Sequence, residues 1–391
     1  MDTLLKLSGF GVLLKLSGFG VTLLSYLLPF LFVLTIVVFF HELGHFLVAR
    51  LCGVAVRVFS IGFGPEIFGF HDRHGTRWRV SWIPLGGYVR FIDDDNVASA
   101  PSGSKTYESL SPQDRKRSFQ GQSLAARAAI VAAGPIANFI LAIVIFTTIF
   151  TFFGERTTAA KVDIVNPGSA AEQAGFKPGD TVLSIDGQAI ENFSEMQRIV
   201  GMSPNQRLHF VVKRDGKKIE IIATPELKEI TDNFGNTVRI GLLGIQRSAS
   251  PEDWTLERHD PLTAFVMAIK ECYFVISRSL GYFYDVVTGR EAADQLGGPI
   301  RIAEVSGQVA TAGFFALLNL AAIISVSIGL INLFPIPMLD GGHLLFYGIE
   351  AIRGKPLSES TQEIGFRIGL AFVLMLMIFA TWNDLIHLKF L

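Results

Sequence analysis

The order of apolar and polar positions divides the chain into two kinds of segment. Uncharged apolar runs at 21–40, 128–153 and 305–339 are each long enough to cross roughly 30 Å of hydrocarbon as a helix. A fourth run, 368–383, is shorter but is flanked by Arg367 and Asp384, whose charged ends can snorkel toward the headgroups. Four transmembrane helices are therefore predicted. Between the second and third runs the period shortens, and from about 160 to 225 strand and turn signals take over. KVDIV and TVLSIDGQ read as strands, NPGSAAEQAGFKPGD as turn chemistry around a short helix, and SEMQRIVGM as a helix. LHFVVK and KKIEIIAT form a hairpin closed at Arg214-Asp215-Gly216. Closer to the N-terminus, VRVFSIGFG, TRWRVSWIP and GGYVRF, within residues 56–91, also read as strands.

Residues 262–288 are apolar but interrupted by Lys270, Glu271, Arg278 and Asp285. Centring those charges in hydrocarbon would cost several kcal/mol in total, so an interfacial amphipathic helix is predicted rather than a fifth span.

Composition supports a bilayer as solvent: 50% of residues are hydrophobic and only 18% charged. A formal net charge of -1, with no dense basic cluster, gives no sign of a nucleic-acid partner. Cys52 and Cys272 lie far apart without metal-ligand spacing, so they read as packing residues. Lys6 and Lys15 before an apolar stretch resemble a signal peptide, but an Ala-x-Ala-like cleavage site is missing and a retained span is expected. Residues 4–12 and 13–21 repeat LLKLSGFGV without a change, a local duplication too short for a solenoid unit.

Charge also sets an expected orientation. Arg50, Arg57, Arg73, Arg77, Arg79, Arg90, Arg115 and Arg117, with Lys105 and Lys116, crowd the connection between the first two spans, which predicts that it is cytoplasmic. The N-terminus is then outside, 154–304 extracytoplasmic, 348–367 cytoplasmic and the C-terminus outside. The expected division is a first span with its motif (1–49), a cytoplasmic β segment (50–123), a second span (124–153), a β-rich module (155–228), a linker with the amphipathic helix (229–304), a third membrane segment (305–349) and a fourth span (366–385).

The chemistry concentrates at His41-Glu42-Leu43-Gly44-His45. On a helix, positions i and i+4 share a face, so His41 and His45 can offer nitrogens to one zinc ion while Glu42 serves as general base toward its water. Histidines merely satisfied at the membrane interface are the bland alternative. Three ionisable groups at the end of an uncharged run favour function, because such groups are expensive there unless they pair or bind something. A hydrolytic zinc site needs a third protein ligand and an open position. Asp340 is the candidate, following Asn332-Leu333-Phe334-Pro335-Ile336-Pro337, where two prolines free backbone groups that must line a protein cavity. His71 and His74 read as solvated turn residues, and His343 as either a partner of the metal ligands or a structural hydrogen-bonding group.

In combination, HELGHFLVAR, FSIGFGP, RWRVSWIPLGGYVRF, AAGPIANFILA and INLFPIPMLDGGHLLFYGIEAIRG closely resemble the site-2 protease family of intramembrane zinc metalloproteases, and within it the bacterial regulator-of-sigma-E protease type. PGSAAEQAGFKPGDTVLSIDG resembles the PDZ domains of bacterial proteases, which bind extended peptides; a spacer without a ligand is the alternative. The resemblance implies zinc on His41, His45 and Asp340, with Glu42 catalytic. It places Asn138, Asn332, Pro335, Gly62 and Gly64 near substrate, though Asn138 and Asn332 could equally be helix-helix glue. It further implies single-span membrane proteins, such as anti-sigma factors, as substrates and the bacterial inner membrane as location. The expected fold is an α-helical polytopic membrane protein of four spans, with a membrane-associated β-hairpin and one inserted extracytoplasmic PDZ domain. One PDZ module, where the best-known members have two, leaves open how the outer domain screens substrates. The rival readings are a metal transporter or sensor using the same ligands without hydrolysis, which would need neither Glu42 as base nor a PDZ module, and a PDZ-bearing membrane scaffold with a degenerate metal site, against which the intact HExxH and Leu339-Asp340-Gly341 argue.

Overall fold

The computed structural model describes residues 9–94, 107, 109–231, 237–248, 250, 253–290, 293 and 296–387. Lys6, Lys105 and residues 4–8 of the nine-residue repeat lie outside them. Contacts divide the chain into two compact units, one of 1–148 with 263–391 and one of 149–262.

The first unit begins with helix α1 (Gly9–Leu51) and continues into strands β1 (Val56–His71) and β2 (Arg77–Phe91) and helix α2 (Leu124–Thr148). Leu23–Leu51 of α1 and Leu124–Phe153, which extends α2 by one wider turn, are apolar enough to cross a membrane. The two helices approach closely because Gly44 has no side chain: a Cβ there would meet the Ala133 carbonyl oxygen and lie 2.7 Å from the Ala137 methyl. The strands form the expected hairpin, but it curls on itself. Ser60 and Ile61 pair with Tyr88 and Gly87 at one edge and with Arg79 and Val80 at the other. Gly62 and Gly64, both at φ +85°, lie in this bent, irregularly paired part of β1, a conformation glycine adopts without penalty. Fully buried Phe59 wedges between Trp78, at 4.3 Å between ring centroids, and Phe46 of α1, at 5.5 Å, which ties the hairpin to the end of the first span.

The second unit is β-rich. It holds β3 (Glu155–Thr157), β4 (Ile164–Val165), α3 (Ala170–Ala174), β5 (Thr181–Ile185), β6 (Gln188–Ala189), α4 (Phe193–Gly201), β7 (Leu208–Arg214), β8 (Lys217–Ala223), β9 (Glu226–Thr231), β10 (Thr237–Leu242), β11 (Ile245–Gln246) and β12 (Thr255–Glu257). A sheet of order β6-β5-β7-β8 packs Val182, Ile185, Phe210 and Val212 against Phe193, Met196 and Val200 of α4. The β7-β8 hairpin turns at Asp215 (φ +49°) and Gly216 (φ +82°), the left-handed pair that Asp-Gly favours. The unit does not close at 228: β11 pairs with β4, β12 pairs with β3, and Leu243 joins the core. Part of the expected linker is therefore built into this domain, because its partner strands precede it by some 80 to 100 residues and local patterning carries no trace of that pairing.

Returning to the first unit, α5 (Pro261–Val287) is the predicted amphipathic helix; it buries Ala264, Ala268 and Cys272 and exposes Leu262, Phe265 and Tyr273. The third apolar run is not one helix. It divides into α6 (Pro299–Thr311), α7 (Phe314–Asn332) and the start of α8 (Asp340–Arg353). Gly313 at φ +110° breaks it at one point and the Pro335-Ile336-Pro337 segment at the other, so the span is Phe314–Asn332. Helix α9 (Glu359–His387) carries the fourth candidate span, Glu359–Ile386. Asp384 does not snorkel. It is 1% exposed and its carboxylate accepts hydrogen bonds from the backbone N–H groups of Gly298, Ile300 and Arg301 at 2.8–3.2 Å, capping α6 from a distant helix.

Candidate metal centre

His41, Glu42 and His45 occupy the last turns of the first span, and Asp340 opens α8 at the end of the proline-broken segment. That segment is tightly specified. A Cβ on Gly341 would meet the Leu333 and Phe334 carbonyls, one on Gly342 the Ile336 carbonyl, and one on Gly369 of α9 the Pro337 carbonyl. Met338 adopts φ +93°, which is costly for a side chain with a Cβ and is sustained by the surrounding packing. The Asp-Gly-Gly sequence thus lets the helix start directly against the loop that delivers it.

The three ligand candidates meet. His41 Nε2 lies 3.2 Å from Asp340 Oδ2 and 3.2 Å from His45 Nε2, and His45 Nε2 lies 3.6 Å from Asp340 Oδ2. A tetrahedral zinc site with arms of about 2.0 Å has edges of about 3.3 Å, so these distances match the spacing of three corners. Among the described residues this is the cluster of histidine, cysteine and carboxylate side chains able to hold a metal ion. Asp340 Oδ2 is buried and makes no hydrogen bond, as suits an oxygen reserved for a cation. Two imidazoles and one carboxylate are a donor set proper to zinc, with a fourth position for water.

Glu42 lines the same cavity, together with Val89 of the hairpin. Gly87 brings the hairpin against it; a Cβ there would lie 3.0 Å from Glu42 Cγ. The cavity measures about 870 Å³ and is lined by the three ligands together with Phe63, Tyr88, Asn332, Arg127, Tyr347 and Glu350. Among these lining residues Arg127 pairs with Glu350 at 2.6 Å and lies over the Tyr347 ring at 5.0 Å. Burial pushes the Tyr347 phenol up to about 12, so it stays neutral across the physiological range.

Of the residues expected near substrate, Asn332 lines the cavity. Pro335 is exposed in the segment before Asp340. Gly62 and Gly64 shape the hairpin bend, and the neighbouring Phe63 reaches the cavity instead. Asn138 is fully buried behind His41, its amide 3.2 Å from His41 Nδ1, while Ser325 donates to its backbone carbonyl at 2.8 Å. His45 Nδ1 lies 2.9 Å from the Ile130 carbonyl. His71 and His74 belong to the hairpin turn, where His71 contacts Arg77 and the His74 N–H bonds Asp72. The His343 ring packs at 5.2 Å from Phe366.

Gly134 is the functional position that residue chemistry does not announce. A Cβ on it would lie 2.5 Å from His45 Cε1 and 2.9 Å from His41 Cε1. Its only signal in the sequence is its place four residues before Asn138 in GPIAN, on the same helix face.

The model of peptidase family M50 matches residues 29–376. A provisionally named zinc metalloprotease of Agrobacterium fabrum is 46% identical over 385 residues, covering 98% of this chain and 99% of that protein. Metalloprotease MmpA of Caulobacter vibrioides is 40% identical over 381 residues, covering 92% and 95%. A provisionally named zinc metalloprotease of Campylobacter jejuni is 35% identical over 353 residues, covering 90% and 91%.

Proposed function

The chain belongs to peptidase family M50, as a zinc metalloprotease with four helices among its described residues able to cross a membrane, and from that premise we propose that it cleaves single-span membrane proteins inside the bilayer. The observation that carries this reading is the position of the ligand set: His41 and His45 sit within an apolar span, beside a cavity large enough for a short extended peptide.

Bound zinc would polarise the scissile carbonyl and acidify a water. The chain's own groups do the rest. Glu42, which lines the cavity beside His41 and His45, takes the water proton and passes it to the leaving amine. A transmembrane helix hides its peptide bonds in its own ladder, so the substrate must be extended locally; Gly87–Val89 of the hairpin and Asn332 line the cavity and would replace the lost hydrogen bonds.

The finer reading follows from the sequence resemblance. It makes the enzyme a regulator-of-sigma-E type protease of the bacterial inner membrane, acting on substrates such as anti-sigma factors already trimmed outside. The β-rich unit is then an extracytoplasmic PDZ domain, supported by the PGSAAEQAGFKPGD pattern over α3 and its flanking turns. In this reading the domain controls access and takes no part in the chemistry, since the metal ligands all lie in the other unit.

The deciding experiment is cleavage of candidate single-span proteins by the purified full-length enzyme in detergent, with and without a zinc chelator. Chelator-sensitive cuts within the hydrophobic segment support the proposal. Cuts confined to soluble flanks, or unaffected by chelation, would overturn it.

A further inference from the structure

We propose that Asn138 is a positioning residue for the metal centre: its side-chain oxygen accepts the His41 Nδ1 proton and so presents His41 Nε2, unprotonated, to zinc. The inference rests on the zinc reading above and concerns how the chain builds that site.

Three observations carry it. The Asn138 amide is fully buried with one end 3.2 Å from His41 Nδ1. Its Oδ1, turned away from the ring, is buried without a hydrogen-bond partner. His41 Nε2, not Nδ1, faces Asp340 and His45. A neutral imidazole that gives Nε2 to a metal carries its proton on Nδ1 and needs an acceptor there. An amide nitrogen in that place would set two N–H groups against each other. Half a turn about the Asn138 side chain exchanges the two amide ends, brings Oδ1 onto Nδ1 and ends its isolation.

His45 solves the same problem with a different acceptor, the Ile130 carbonyl at 2.9 Å from its Nδ1. Ile130, Gly134 and Asn138 are spaced by four on α2 and therefore share one face. That face supplies an acceptor for each histidine and, between them, a gap where a methyl group would strike both rings. The second span is thus a template for the ligands that the first span carries. The alternative, helix-helix glue, is already served by the Asn138 backbone carbonyl, which takes the Ser325 hydroxyl.

The test compares Asn138→Leu, Asn138→Asp and Ser325→Ala in the full-length protein. Zinc affinity is read by competition with a chelator, and ligand geometry by visible absorption of the cobalt-substituted protein. Thermal unfolding of the zinc-free form separates site from fold. Leucine, similar in size but unable to accept a proton, should weaken zinc binding about 10- to 100-fold and change the cobalt spectrum, while the zinc-free melting temperature holds. Aspartate, an acceptor, should keep zinc affinity within a few-fold, the opposite of what a buried glue position would tolerate. Ser325→Ala should leave zinc affinity unchanged. Wild-type affinity in Asn138→Leu, or equal losses in the Leu and Asp variants, would overturn the inference. If Asn138→Leu does not fold, Asn138→Asp decides: retained affinity supports the role and lost affinity removes it. Wild-type protein that binds no zinc would overturn the metal centre itself, and is recognised because every variant would then behave alike.

Discussion

Replacing Gly134 by alanine adds one methyl group and should empty the zinc site without unfolding the protein. The built Cβ would lie 2.5 Å from His45 Cε1 and 2.9 Å from His41 Cε1, against 3.4 Å or more for an ordinary contact. The His45 ring must therefore retreat by about 1 Å, well beyond the ~0.2 Å tolerance of zinc coordination distances. Neither ring can simply swing aside, because His45 is held by the Ile130 carbonyl and His41 by Asn138. A ligand displaced this far should reduce zinc affinity by at least about 100-fold, or ~2.7 kcal/mol. The helix itself should gain, since alanine is favoured over glycine in a helix interior by about 1 kcal/mol. Gly348 in α8, with nothing near its missing Cβ, is the control: Gly348→Ala should leave zinc and activity untouched. The assay is zinc content after purification, chelator competition, and thermal unfolding of the zinc-free protein. Gly134→Ala that binds zinc like wild type would refute the packing argument, and one that melts far below wild type without zinc would show that the methyl is felt by the helix pair instead.

Other substitutions probe separate parts of the molecule. Glu42→Gln should keep full zinc content and lose about 10²- to 10⁴-fold in cleavage rate, as expected for loss of a general base; wild-type turnover would exclude that role. Asp340→Asn should lower both zinc content and cleavage, because a neutral amide is a weaker ligand than carboxylate; unchanged zinc content would move the third ligand elsewhere. Asp384→Ala removes the cap on three α6 N–H groups and should destabilise the protein by about 1–2 kcal/mol, read as faster hydrogen exchange at 298–302 with no change in zinc affinity. In the β-rich unit, burial of Asp180 would raise its carboxyl, but hydrogen bonds from Arg214 and the Lys177 backbone outweigh it and hold the group below the ordinary 3.8. That stabilisation is complete above the unfolded-state value and is lost as pH falls through the lower folded one. Arg214→Met should therefore cost about 3 kcal/mol at neutral pH and shift acid unfolding of β5 and β7 to higher pH, measured by hydrogen exchange of the intact protein; an unmoved acid transition would contradict the pairing.

What the sequence alone determined was whatever rests on local periodicity and local chemistry. Uncharged runs located four spans because hydrocarbon tolerates no unpaired backbone and little charge, and that constraint is written residue by residue. HExxH predicted two ligands on one helix face because a turn of helix fixes their spacing, and Asp215-Gly216 predicted its hairpin because only that dihedral pair closes it. Tertiary structure decided the rest, where the partners are remote in the chain. Asp384 reads as a flanking charge until α6 arrives, 86 residues away in sequence, to be capped by it. Residues beyond 228 read as linker because β11 and β12 find their partners some 80 to 100 residues upstream. Gly134 reads as one more small residue in an apolar helix, and only the approach of His41 and His45 shows that the missing side chain is the functional group. A glycine carries no chemistry of its own, so its role exists only in the space between elements, and that space is set when they pack.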